Sequence, residues 1–90
     1  MLRNIKETES QLKGLANRRR LAILKFLERK GPASVGSIAE ENKLSFKATS
    51  AHLLILFASG LVEREQTSTT VLYGLVRPLP AVLKTTLDIL

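Results

Sequence analysis

Three residues, Lys43-Leu44-Ser45, divide the stretch that decides the fold. Before them stands Ser34-Val35-Gly36-Ser37-Ile38-Ala39-Glu40-Glu41-Asn42, and after them Phe46-Lys47-Ala48-Thr49-Ser50-Ala51-His52-Leu53-Leu54-Ile55-Leu56-Phe57-Ala58-Ser59-Gly60. Ser34 is placed to cap a short helix over 35–42, because a serine oxygen accepts the unsatisfied N–H groups of a first turn. Val35, Ile38 and Ala39 would form its buried edge. Ser45 is placed in the same way before a second helix over 46–59, which Gly60 stops. Phe46, Thr49, Leu53 and Leu56 recur at the spacing of one packed face, with Phe57 beside them.

Upstream, Asn17 caps a helix over 18–30. Arg20, Ile23, Leu24 and Leu27 share one of its faces, flanked by Leu21 and Phe26, while Arg18, Lys25 and Arg29 line the other. Gly31 and Pro32 stop it. A shorter amphipathic helix is expected over 2–12, with Leu2, Ile5, Glu9 and Leu12 at helical spacing. Downstream of Gly60 the period changes to two. Leu61 to Gln66 alternates apolar and charged residues, and Val71 to Val76 returns as a β-rich run with Val71, Tyr73 and Leu75 on one side. The tip, Thr67 to Thr70, has neither Gly nor Asn, so a loop of four residues or more is expected rather than a two-residue turn. Pro80 suits the first turn of a last helix over 79–90.

The chain of 90 residues therefore reads as a single domain, mostly α with one β-hairpin. Two helices joined by a three-residue turn make a helix-turn-helix, whose second helix enters the major groove of DNA, and a hairpin straight after it is a wing. Fold class: winged helix-turn-helix.

The composition agrees. Fourteen Lys and Arg against eight Asp and Glu give a net charge of +6. That balance asks for a polyanionic partner, nucleic acid or an anionic membrane surface. No apolar run approaches the ~20 residues needed to cross a bilayer. The start of the chain has no apolar signal region, so a cytoplasmic protein is expected. The absence of cysteine removes disulfides and thiolate metal sites.

The chain also resembles the ArsR family of winged helix-turn-helix repressors. The resemblance rests on Leu15-Ala16-Asn17-Arg18-Arg19-Arg20-Leu21-Ala22-Ile23-Leu24, Ser50-Ala51-His52-Leu53, Gly60-Leu61-Val62 and Tyr73-Gly74-Leu75, in order and spacing across about residues 12 to 76. It implies a homodimer that binds double-stranded DNA, joined through the first and last helices. That role falls on Leu2, Ile5 and Leu12 together with Leu79, Val82, Leu83, Leu87 and Leu90, unless those helices complete the monomer's own core. Many members sense metals through cysteine pairs on the short helix, or through histidines and carboxylates on the last one. Here those places hold Ser34-Val35-Gly36-Ser37 and Asp88 alone. Zinc needs three or four ligands, so neither a metal nor another cofactor is expected.

The candidate DNA contacts follow from the motif. First-turn residues of the second helix reach base edges, which points to Lys47 and Ser50 with Ala48 and Ala51 on the same outward face, and to Ser45 near a phosphate. Arg18 and Arg19 either bind phosphate or form a solvated face. Arg20 projects to the core side, its guanidinium tied to a carboxylate or carbonyl. In the wing Arg64 can reach the DNA backbone, although Glu63 and Glu65 flank it. His52 is expected to be packed and hydrogen-bonded, not catalytic, and nothing resembles a nucleophile motif or a phosphate-cradling loop. Leu54 and Ile55 leave an apolar patch on the outer face. The expected function is therefore a dimeric repressor on a two-fold symmetric operator. The alternative is a protein-interaction module that recognises an unidentified protein through Leu54 and Ile55.

Overall fold

A computed structural model describes residues 2–90, with side chains from Asn4 onward. Five helices and a small antiparallel sheet follow one another as α1 (Leu2–Leu15), α2 (Arg18–Lys30), β1 (Ala33–Ser34), α3 (Val35–Asn42), α4 (Phe46–Ala58), β2 (Val62–Gln66), β3 (Val71–Leu75) and α5 (Ala81–Asp88).

The caps sit where the side chains predict. Asn17 Oδ1 accepts from the backbone N–H groups of Arg19 and Arg20 at 3.0 and 3.1 Å. Ser34 Oγ accepts from Ser37 N at 3.2 Å, and Ser45 Oγ from Ala48 N at 3.0 Å. Each satisfies a donor the first turn leaves unpaired. At the other ends, Gly31 and Gly60 take φ of 90° and 75°, a region that costs glycine nothing. Lys43 takes the same role after α3, at φ 55° and ψ 45°, which costs an L-residue roughly 1–2 kcal/mol. Its backbone N–H donates to the α3 carbonyls of Ala39 and Glu40.

Helix α1 runs three residues past the expected end at Leu12. Backbone N–H groups of Ala16 and Asn17 reach the carbonyls of Leu12, Lys13 and Leu15, and Arg20 adds to them: Nε donates to Gly14 O at 2.7 Å and an Nη to Lys13 O at 3.1 Å. A cation at a helix C-terminus also meets the negative end of the macrodipole. Gly14 permits a close approach to the end of α4, since a Cβ there would lie 2.7 Å from Ser59 Oγ and 2.9 Å from Ser59 Cβ.

The hairpin pairs Val62 with Leu75 through Gln66 with Val71, leaving a four-residue tip. Thr67 closes it, with backbone N–H and hydroxyl both donating to Thr70 O at 2.8 Å. The sheet has a third strand that no sequence pattern announced. β1 pairs antiparallel with β3, Ala33 opposite Tyr73 and Ser34 opposite Leu72, so the strand order is β1-β3-β2. It ties the start of α3 to the wing.

The core gathers Leu15, Ile23, Leu24, Leu27, Ile38, Leu53, Leu56, Leu61, Leu83 and Leu87. Three expectations are corrected by it. Leu83 and Leu87 are fully buried within the one chain, so they complete its own core and present no surface to a second subunit. Helix α5 is shorter than 79–90: it spans Ala81–Asp88, Pro80 sits at its N-cap with extended ψ of 144°, and Leu79 stays outside it. Phe46 and Phe57 do not join Thr49, Leu53 and Leu56 in the core; Phe46 is 63% exposed and Phe57 39%.

Candidate nucleic-acid interface

Helix α4 packs through Thr49, Leu53 and Leu56, which turns its other side outward. Thr49 is the sole buried polar side chain of the described core, and its hydroxyl donates to Ser45 O at 2.9 Å. With that anchor, Lys47 and Ala51 project into solvent and Ala48 and Ser50 stand half-buried beside them. The structure thus brings four of the expected contact residues onto one helix face. Ser45 lies at its foot with its oxygen committed to the cap.

Electrostatics favour this face. Among the described residues, ion pairs join Lys13 to Glu9 (3.8 Å), Lys25 to Glu28 (3.0 Å), Arg29 to Glu41 (3.9 Å) and Lys84 to Asp88 (3.3 Å). Lys47 has no acidic partner within that set, nor do Lys43, Arg18, Arg19, Arg64 or Arg77. The excess positive charge is therefore left for an external anion.

The wing is fastened to α4 by Arg64. Its guanidinium carbon lies 4.2 Å from the centroid of the Phe57 ring, within the range of a cation–π contact. That contact places Arg64 beside α4, and it also covers one side of Phe57. Arg18 is not brought to α4: it shares a groove with Leu21, Ala22, Lys25 and Leu90. The basic residues of that segment which bear on α4 are Arg19 and Arg20, whose charges act on His52.

A cleft of about 760 Å³ separates the start of α4 from the wing, lined by Ser34 to Gly36, Phe46, Arg64, Gln66, Thr69, Thr70, Val71 and Tyr73. The sequence pattern assigned Phe46 to the core because it shares the spacing of Thr49 and Leu53. At the first residue of the helix, however, the chain has passed the end of the core and meets this cleft.

His52 is half-buried, as expected, but its Nδ1 is enclosed without a hydrogen-bond partner among the described residues. Burial first, then the positive charges of Arg20 and Arg19, lower its pKa from the ordinary 6.5. Both effects favour the neutral imidazole in the folded chain. As pH falls below 6.5 the unfolded chain takes up the proton first, so stability present above that pH is lost as pH drops through the lowered folded pKa. Urea midpoints at pH 7.5 and 5 should differ more for the native chain than for His52→Gln; equal differences would mean that other groups carry the effect.

Among the described residues, no group of three or more His, Cys, Asp or Glu is placed to hold a metal ion, and no helix is long and apolar enough to cross a membrane. A helix-turn-helix that presents Lys47 on the outward face of its second helix, flanked by a two-stranded wing, is the architecture of a DNA-binding transcriptional regulator. The chain belongs to the ArsR family: the family described as bacterial regulatory protein, arsR family, matches residues 17–64. A comparison with curated protein sequences returned no significant match.

Among solved structures, HlyU from Vibrio cholerae is 34% identical, with a TM-score of 0.81 over 99% of this chain and 92% of that one. The homodimeric winged helix-turn-helix DNA-binding domain of Mb0332 from Mycobacterium bovis is 27% identical, with a TM-score of 0.83 over 98% and 78%. The transcriptional repressor PagR of Bacillus anthracis, at 19% identity and a TM-score of 0.86 over 99% and 98%, shares the fold.

Proposed function

We propose that the protein is a homodimeric repressor that reads a two-fold symmetric operator in double-stranded DNA. One observation carries the reading: Lys47, Ser50 and Ala51 stand on the outward face of α4, on a helix whose inner face is locked into the core. N-terminal residues of such a helix reach base edges, while a wing follows the backbone. The contact set is Ser45, Lys47, Ala48, Ser50 and Ala51 on α4, Arg64 in the wing, and Arg18 as a more distant phosphate ligand.

Support for the dimer comes from the apolar surface that remains after folding. Ile5 and Leu12 are exposed on α1, where they line a shallow apolar groove with Asn4, Thr8 and Glu9. Ile89 and Leu90 are exposed at the end of the chain. Leu79 and Val82 lean on the core from its edge, so they can serve the monomer and border an interface at once. The side chain of Leu2, also assigned to that interface, lies outside the described residues. The homodimeric Mb0332 domain offers a precedent.

The test is selection of duplexes from a random-sequence pool at physiological salt, with sedimentation of the bound species. Enrichment of an inverted repeat, with half-sites about one helical turn apart and two chains per duplex, supports the proposal. Lowered transcription from a promoter carrying that repeat supports the repressor role. If no sequence is enriched, the second reading stands: Leu54 and Ile55, 55% and 44% exposed on α4, then form the contact for a protein partner.

A further inference from the structure

We propose that Phe46 is a specificity-determining DNA contact that reads the C5 methyl group of a thymine at the wing-side end of each half-site. The inference rests on the DNA-binding reading above and adds to it a base and an atom.

Phe46 is the first residue of α4, the position in a recognition helix that approaches base edges. A phenylalanine has no hydrogen-bonding atom, so at that place it contributes contact area alone. Among the groups that base pairs display in the major groove, the apolar one is the thymine methyl. Among the described residues the ring is left out of the core: it is 63% exposed, the core closes around Thr49, Leu53 and Leu56 without it, and the cleft beside it is open to solvent. The opposite wall of the cleft carries Thr69, Thr70 and Gln66 from the wing, whose hydroxyl and amide groups suit phosphate oxygens.

A DNA strand that passes from the groove under α4 to the groove under the wing must cross this cleft. Its phosphates then face the wing, and the edge of the adjoining base faces Phe46. The next outward positions on α4 extend the preference. Ala51 and Ala48 present only methyl groups, and Lys47 and the Ser50 hydroxyl are the side chains there that can donate to a guanine.

The test uses the duplex enriched by the selection above, with each thymine replaced in turn by deoxyuridine, which lacks the methyl and keeps the base pairing. Phe46→Ala should weaken binding about tenfold per half-site, the low end of a base contact, with the slope of log affinity against log salt unchanged because no charge is lost. Its thermal midpoint without DNA should match the native chain, and Phe46→Leu should keep part of the affinity. One deoxyuridine per half-site should weaken the native protein to a similar extent and leave Phe46→Ala unaffected.

The proposal is overturned if Phe46→Ala binds the selected duplex as tightly as the native chain, or if no methyl removal discriminates between the two proteins. In both cases tight native binding shows that the DNA-binding reading survives. Failure of the native chain to select any duplex overturns both.

Discussion

Leu53→Ala is expected to destabilise the protein by about 2–5 kcal/mol, whereas Leu54→Ala, one residue later, should change stability by no more than about 0.5 kcal/mol. The two leucines are chemically identical and adjacent, and they differ in what surrounds them. Leu53 is completely buried against the core, while Leu54 is more than half exposed. Removing three carbons from Leu53 loses their transfer free energy and leaves a cavity that packed neighbours fill only in part. In a domain this small the total stability is roughly 5–15 kcal/mol, so the loss takes a large share of it. Each kcal/mol lowers the thermal midpoint by roughly 4–8 °C at this chain length. Urea and thermal unfolding of both variants settle the matter. A Leu53→Ala protein with a native midpoint would mean that α4 does not pack through this face.

Lys47→Glu carries the second large effect, this time on DNA. Lys47 is the only charged side chain on the outward face of the first two turns of α4, and it has no acidic partner among the described residues. Lys47→Ala should weaken binding to the selected operator by about tenfold per half-site, the loss of one good contact in each subunit. Reversal of the charge adds repulsion from the phosphates and should bring the loss to about a hundredfold or more per half-site. If the lysine neutralises a phosphate, the salt slope also drops by about one unit per subunit.

Lys84→Glu supplies the control. It makes the same change in net charge on α5, where Lys84 pairs with Asp88 at 3.3 Å. An equal loss in the two variants would assign the effect to total charge and remove Lys47 from the interface. The folded state should be indifferent to Lys47→Glu, because the side chain is solvated.

The two predictions separate the two faces of α4, and the same helix shows how far the sequence could be read. Local chemistry located it well. Ser45 caps it, Gly60 ends it, and Thr49, Leu53 and Leu56 mark its inner face, because caps and helical spacing depend on residues within one or two turns. The same holds for Asn17 before α2 and Ser34 before α3. The hairpin was legible through its period of two, and the length of its tip through the absence of a residue suited to a two-residue turn.

What the spacing could not show was where the core ends. Phe46 has the period of a core residue, yet it lies beyond the last residue packed against α4. Leu83 and Leu87 have the period of an interface, yet they fill the monomer. A periodic pattern says which side chains share a face; burial depends on what another part of the chain brings to that face.

By itself, then, the sequence determined the order of the elements, their caps and stops, the helix-turn-helix with its wing, and the single charge, Lys47, on an otherwise small and apolar outward face. These follow from interactions between residues close together in the chain. Only the tertiary structure decided that Ala33 and Ser34 form a third strand on Tyr73 and Leu72, that Arg20 holds the end of α1, that Arg64 rests on Phe57, and that Phe46 faces an open cleft. Each of these depends on backbone or side-chain groups brought together by folding, and two residues of strand or a single exposed ring have no period by which a sequence could announce them.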